Sequence, residues 1–171
     1  YFHRKHKLYD ENGEAFGDND ERAIFFARGV LETVKKLRWS PDIIHCHGWF
    51  TSLVPLYIKK SYHDDPIFSD AKLVYSVYDE DFSKPLNKNF YKKIPIEGVT
   101  EKDAKVVKQH PSYENLSRLA IDYSDAVAQG NPRINEEVKQ YAISQKKPFL
   151  EYQGGDDYVE AYDAFYNNLL K

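Results

Sequence analysis

The stretch Pro41-Asp42-Ile43-Ile44-His45-Cys46-His47-Gly48-Trp49-Phe50-Thr51-Ser52-Leu53 leaves this chain few ways to fold. Asp42 to Cys46 is too short for a helix, carries β-branched Ile43 and Ile44, and is bounded by Pro41 and Gly48. It reads as a short apolar strand. Gly48 permits a tight turn, and Thr51 or Ser52 is placed to cap a helix over Leu53 to Lys60. In open α/β sheets, ligands bind just beyond the carboxyl ends of strands, beside helix N-termini. His45, His47 and Trp49 therefore fall where a binding site is expected.

The rest of the chain alternates strand and helix patterns. Residues 3 to 17 read as a polar, turn-rich loop, with Asn12-Gly13 at its tip. Asp18, with Glu21 three residues on, reads as a capping box. Ala23, Phe26, Ala27, Val30, Leu31, Val34 and Leu37 then keep one helical face to about Arg38. A second buried strand is expected over 72–77. Residues 79–110 show little periodicity and read as an ordered excursion over the binding face or a mobile loop, with a short helix near 102–109. Ser112 caps a helix to about Tyr123, Ala126 to Gln129 is a third strand, and a helix runs from Arg133 to Ile143. Lys147 to Leu150 makes a fourth strand. A last helix, about Asp156 to Leu170, sets Tyr158, Val159, Tyr162, Phe165, Tyr166 and Leu169 on one side, a stripe that reads as packing in preference to a carbohydrate platform. Strands separated by helices, with no hairpin signal, argue for a parallel sheet covered on both faces.

Composition narrows the function classes. A chain of 171 residues is long enough for one domain with its own core. A formal net charge of -3 gives no reason to expect nucleic acid or an acidic membrane surface as partner. The single cysteine excludes an internal disulfide, so a cytoplasmic location is expected. No apolar run approaches membrane-spanning length. The 14 tyrosines and 10 phenylalanines suit either an α/β core or a sugar-binding surface. The chain holds no methionine and opens on Tyr1-Phe2, which reads as the end of a strand, so its natural start is expected further upstream.

The central stretch also carries a resemblance. Trp39-Ser40-Pro41-Asp42-Ile43-Ile44-His45-Cys46-His47-Gly48-Trp49-Phe50-Thr51 resembles the W-x-P-D-[VI]-[VI]-H-x-H-D-W-H-T signature of glycogen and starch synthases. Asp18-Asn19-Asp20-Glu21-Arg22 is similar to the D-N-x-x-R-F upstream of it. Lys72 to Tyr78 resembles K-x-V-[YF]-T-[IV]-H-N, and Ala120 to Val127 resembles A-x-x-x-A-D-x-V. Together these ordered matches identify a member of that family, in its short, Bacteroides-type form. The resemblance implies an α/β fold, the three-layer Rossmann-like parallel sheet of the N-terminal domain in GT-B-type glycosyltransferases. The sheet is expected to be incomplete at its amino end, without the K-x-G-G-L donor loop. The implied activity is glucosyl transfer from ADP-glucose to an α-1,4-glucan, so ADP-glucose and α-glucan are the implied partners, with no further cofactor.

The departures from the signature bear on activity. The motif's acidic residue is Gly48 here, and its second histidine is Phe50. In the family that histidine hydrogen-bonds the transferred glucose. Phenylalanine can stack on a sugar but can neither donate nor accept that bond. Loss of one aligned bond to a charge-developing transition state costs about a hundred-fold in rate. At the next strand end, T-[IV]-H-N has become Ser76-Val77-Tyr78-Asp79. The family's donor-binding second domain has a basic pair and a glutamate before a glycine-rich turn, and nothing after Ala126 offers that set. The second domain is therefore expected to be absent, and Gln153-Gly154-Gly155 reads as a loop before the last helix.

The expected substrate-binding residues are His45, His47, Trp49, Phe50, Thr51 and Tyr78, with no catalytic residue assigned. His45 and His47, at i and i+2 of a strand, face the same side and could share a ligand. A catalytic zinc needs about three protein ligands, and His3, His6, His63 and His110 lie in weakly patterned loops, so no metal is expected. Equally, one histidine could be buried and hydrogen-bonded while the other lines the strand end. Two classes remain: a degenerate glucosyltransferase, weak or inactive alone, and a non-catalytic glucan- or partner-binding module. An unrelated metal or phosphate enzyme using His45, His47 and Asp79 is a third, more distant option.

Overall fold

The computed structural model describes residues 8–171. The readings of Tyr1-Phe2 as a strand end, and of His3 and His6 as loop histidines, lie outside the described residues. The expected strands form one parallel sheet in sequential order: β1 (Ile43–His47), β2 (Lys72–Val77), β3 (Ala126–Gln129) and β4 (Phe149–Leu150). His45 pairs with Val74, and His47 with Ser76. Each step moves the chain one strand in the same direction. Right-handed crossovers then lay the connecting helices on one face.

That face carries most of the core. Alternation along the strands sends Ile44, Cys46, Leu73, Tyr75, Val77 and Val127 into it. Against them pack α1 (Asn19–Lys36), α2 (Leu53–Lys60), α4 (Tyr113–Tyr123) and α5 (Glu136–Ser144). The opposite strand positions, Ile43, Val74, Ala126, Ala128 and Leu150, meet Tyr162, Phe165, Tyr166 and Leu169 of α6 (Tyr158–Leu169). Ala126 and Ala128 are small enough for a helix to lie close over the sheet, so one terminal helix covers this side. The sheet is thus covered on both faces, as its sequence requires.

Several local expectations change. Asp18 precedes α1 but makes no capping bond, because its φ of -102° and ψ of 13° are not the extended backbone a cap uses. Glu21 instead reaches Lys93 at 2.7 Å. Val30 and Leu37 point outward, 37% and 68% exposed, while Ala23, Ile24, Ala27 and Leu31 make the buried face. Ser112 does cap α4, accepting from the Asn115 N–H at 3.4 Å. Asn135 caps α5, two residues beyond the expected helix start. The expected short helix near residue 105 is a single 3-10 turn, Lys105–Val107.

The region 79–110 is an ordered excursion. It contains α3 (Phe90–Lys93) and buries Phe90, Ile94, Val99, Ala104 and Val107 completely or nearly so. These anchors sit singly among polar residues, which is why no periodicity shows. They pack on the α1 and α4 side rather than over the strand ends. Among the described residues, no helix is long and apolar enough to cross a membrane.

Candidate functional site

Strand periodicity sets the site. His45 and His47 share the α6 face of β1, their rings stacked with centroids 4.0 Å apart. His45 is held on both sides: Nδ1 lies 2.6 Å from the Tyr166 hydroxyl, and Nε2 lies 2.7 Å from Ser76 Oγ. Both hydroxyls can donate or accept, so they suit a neutral imidazole in either tautomer. His47 Nδ1 lies 2.9 Å from the Tyr78 hydroxyl. Tyr78 follows β2, and its ring lies flat across Gly130, where a Cβ would sit 2.6 Å from Cζ. Only glycine leaves room for that ring. The Tyr113 hydroxyl donates to the Tyr78 carbonyl and anchors the backbone there.

These side chains open on a cavity of about 750 Å³ beyond the strand ends. Its far wall is Tyr152 to Gly155 together with Tyr158, Tyr162 and Tyr166 of α6. Another cavity, about 550 Å³, runs along α1 past Arg28 and Lys93 and takes in none of the strand-end residues.

The electrostatics keep the floor of the site uncharged. Burial, and then the neighbouring His47, hold the His45 imidazole down at about 4, and burial lowers His47 as well. Burial raises the phenols of Tyr78 and Tyr166 above their ordinary value. The lining includes no lysine or arginine, and its charged side chain is Asp163.

A pH dependence follows. Unfolded His45 takes up a proton near pH 6.5, whereas the folded ring resists until about 4. Stability is therefore full above about pH 6.5 and falls as pH drops toward 4. The full shift would correspond to about 3 kcal/mol, and solvent access to the half-buried ring brings the expected loss to about 2 kcal/mol. Urea midpoints at pH 7 and 4.5 measure it, and a His45→Gln variant should flatten the dependence. An unchanged slope in that variant would assign the effect to other groups.

The six expected binding residues divide. His45, His47 and Tyr78 come together at the cavity. Trp49, Phe50 and Thr51 form a 3-10 turn that leads into α2. Trp49 is 2% exposed, against Phe82 and Phe50 at 5.1 and 5.4 Å. Phe50 packs on Phe26 at 5.6 Å. The Thr51 hydroxyl is turned back to the carbonyls of His47 and Gly48, so neither it nor Ser52 caps α2. Gly48 itself sits at φ 70° and ψ 172°, with the Glu80 carboxylate packed where a Cβ would go. Glu80 Oε2 accepts from the Trp49 N–H at 3.3 Å, and burial raises its carboxyl above the usual range.

Asp79 is exposed and does not line the cavity. Among the described residues no three His, Cys, Asp or Glu side chains gather as a metal site. Sequence reasoning gave no site role to Ser76, Gly130 and Tyr152, and preferred packing to a carbohydrate platform for the tyrosines of the last helix. The available signal was Tyr158-Tyr162-Tyr166, a hydroxyl-bearing ring on every turn of one stripe.

The profile of the starch synthase catalytic domain matches residues 1–150. The glycogen synthase of Photobacterium profundum is 28% identical over 137 residues, which cover 80% of this chain and 27% of that protein. The glycogen synthase of Chlorobium limicola is 47% identical over 79 residues, 46% of this chain and 16% of the relative. The chain thus spans about a quarter or less of the length of these relatives. In structure it resembles the catalytic domain of starch synthase IV from Arabidopsis thaliana, solved with ADP and acarbose. That likeness has a TM-score of 0.63 at 19% identity and covers 93% of this chain and 33% of the other.

Proposed function

Because the chain belongs to the starch synthase catalytic-domain family, we propose that it contributes the sugar-binding face of a glucan-building machine and transfers glucose weakly or not at all by itself. The observation that carries this reading is the uncharged, hydroxyl-rimmed pair His45 and His47 at the end of β1. Neutral imidazoles and phenols both donate to and accept from sugar hydroxyls, and ring faces stack on pyranose carbons. In this reading His45, His47 and Tyr78 contact the ligand, while Trp49, Phe50 and Thr51 hold the corner behind them. The partners are an α-glucan and, in the assembled system, ADP-glucose. A cytoplasmic location belongs to the same proposal and agrees with a buried, unpaired Cys46.

A second reading, binding without turnover, is favoured by Phe50. It replaces the signature's histidine and packs on Phe26, so no hydrogen bond to glucose comes from this position. Incubation of the 171-residue chain with ADP-glucose and glycogen should release ADP at no more than the background rate. Release well above background, abolished by His47→Ala, would show the chain to be a competent transferase. A Phe50→His variant alone should not restore turnover, because the ring faces Phe26.

A further inference from the structure

We propose that Lys102, Lys105 and Lys108, with Lys92 beside them, form a docking ladder for a short acidic segment of a partner protein, bound in extended form. The inference is independent of the sugar-binding reading, because the ladder belongs to the 79–110 excursion and lines no part of the strand-end cavity.

The local backbone makes the ladder. Hydrogen bonds from an N–H to the carbonyl three residues back recur at residues 103, 105, 107 and 108, so 100–108 wind with a period close to three. Burial follows that period. Ala104 and Val107 are fully buried, Asp103 and Val106 are half-buried, and Lys102, Lys105 and Lys108 are all exposed. The three lysines therefore leave one edge, about 6 Å apart from rung to rung. Lys108 Nζ lies 5.3 Å from the centre of the Tyr91 ring and Lys92 Nζ lies 5.8 Å from it, so α3 adds a fourth cation at the end of the row.

The fold does not neutralise these charges. Lys84 and Lys93 of the same excursion pair with Glu14 and with Asp20 and Glu21. Among the described residues, Lys92, Lys102, Lys105 and Lys108 have no carboxylate partner. Asp103, inside the run, turns to Lys60 at 2.9 Å and to Thr100. Glu101 falls, by the same count, on the edge of Ala104 and Val107. Like charges one turn apart repel, so a ligand bearing carboxylates relieves a cost that the chain carries alone.

The spacing selects the ligand. Side chains on one side of an extended strand recur about every 6.6 Å, so an acidic-x-acidic-x-acidic segment sets one carboxylate against each rung. Each ammonium is a compact charge with rotatable donors and accepts that partner from many directions. Nucleic acid fits poorly. The row is only about 12 Å long, and beyond it a polyanion meets a chain of formal net charge -3. The row has no arginine fork for phosphate. Tyr91, half-buried under Lys92 and Lys108, offers no open ring to a base.

NMR titration of the isotope-labelled full chain with acetyl-Gly-Glu-Thr-Glu-Thr-Glu-Gly-amide tests this. In about 20 mM salt the amide signals of 91–92 and 102–108 should shift and saturate together, and about 150 mM salt should weaken the Kd at least about five-fold. A peptide of equal charge with contiguous glutamates should bind about three-fold more weakly, because only alternate positions share a side. Lys102→Glu, Lys105→Glu and Lys108→Glu together should weaken binding at least about ten-fold. The milder Lys102→Gln, Lys105→Gln and Lys108→Gln set should lose binding in the same direction. All three rungs are exposed, so urea midpoints should stay near wild type. Lys36→Glu, Lys146→Glu and Lys171→Glu, the same charge change on exposed lysines outside the excursion, should leave the Kd within about two-fold. Equal losses from the two glutamate sets would reduce the effect to net charge and overturn the ladder. An oligothymidylate that binds the row more tightly than the peptide would overturn the protein partner. Absence of peptide binding would sink the proposal, and low-salt self-association abolished by the ladder variant would then assign the row to a second copy.

Discussion

Gly48→Asp, which restores the acidic residue of the family signature, should destabilise this domain by about 4 kcal/mol. Two costs add. With φ at 70° and ψ at 172°, position 48 occupies a region open essentially to glycine, and any other side chain there costs about 1–3 kcal/mol. A Cβ would also overlap the Glu80 carboxylate, lying 3.0 Å from its Cδ, and would displace the acceptor from the Trp49 N–H. That N–H is partly buried, so leaving it unpaired adds about 1–3 kcal/mol. The urea midpoint of the variant measures the sum. Adding Glu80→Ala relieves the overlap but still leaves the Trp49 N–H without its acceptor, so the double variant should recover little of the loss. If Gly48→Asp unfolds like the wild type, the turn is free to adopt another conformation and Glu80 does not depend on the glycine. In this chain a carboxylate does lie beside the corner, but it reaches there from the end of β2.

Lys93→Ala should cost about 3 kcal/mol. Lys93 Nζ lies 2.8 Å from Asp20 Oδ2 and 2.7 Å from Glu21 Oε1. Asp20 is 1% exposed, and its Oδ1 has no hydrogen-bond partner among the described residues. Removing the lysine strands a charge away from water, and such one-sided deletions cost about 3–5 kcal/mol. The half-exposed Glu21 arm adds little. Asp20→Asn combined with Lys93→Ala should recover most of the loss, because no unpaired charge is then buried. Urea unfolding of the single and double variants closes the cycle. Additive losses would mean that the two side chains do not act on each other. This pair ties the 79–110 excursion to α1, so Lys93→Ala should also loosen hydrogen-exchange protection around Phe90 and Ile94.

The ease or difficulty of reading each element has a physical cause. β1 and the turn at Gly48 were legible because a short β-branched run between Pro41 and a glycine has few conformations open to it. α4 was legible from Ser112, whose cap is a local bond. At Asp18 the same rule failed: its backbone is not extended, and Glu21, the other half of the box, reaches instead to Lys93, 72 residues away. Residues 79–110 were opaque for a related reason: isolated anchors such as Phe90 and Val107 carry no period. In the site, i and i+2 spacing placed His45 and His47 together, and Tyr78 joined them through strand pairing. Trp49 and Phe50 follow no such rule. Once the strand ends, their direction depends on which neighbours leave space, and Phe26 and Phe82 take them inward.

The amino-acid order by itself determined a strand-turn-helix corner, a parallel succession of strands and helices, and two histidines on one side of β1. Each follows from interactions within a few residues, where period and backbone preference decide. Tertiary structure alone decided that α6 closes the second face of the sheet. It also brought Tyr166 to His45 across 121 residues of chain and turned part of an aromatic stripe into a cavity wall. A tyrosine on a helix reads the same whether it meets alanine or solvent. Only the packed sheet, with Ala126 and Ala128 beneath Tyr162 and Tyr166 and open space beside Tyr158, distinguishes the two.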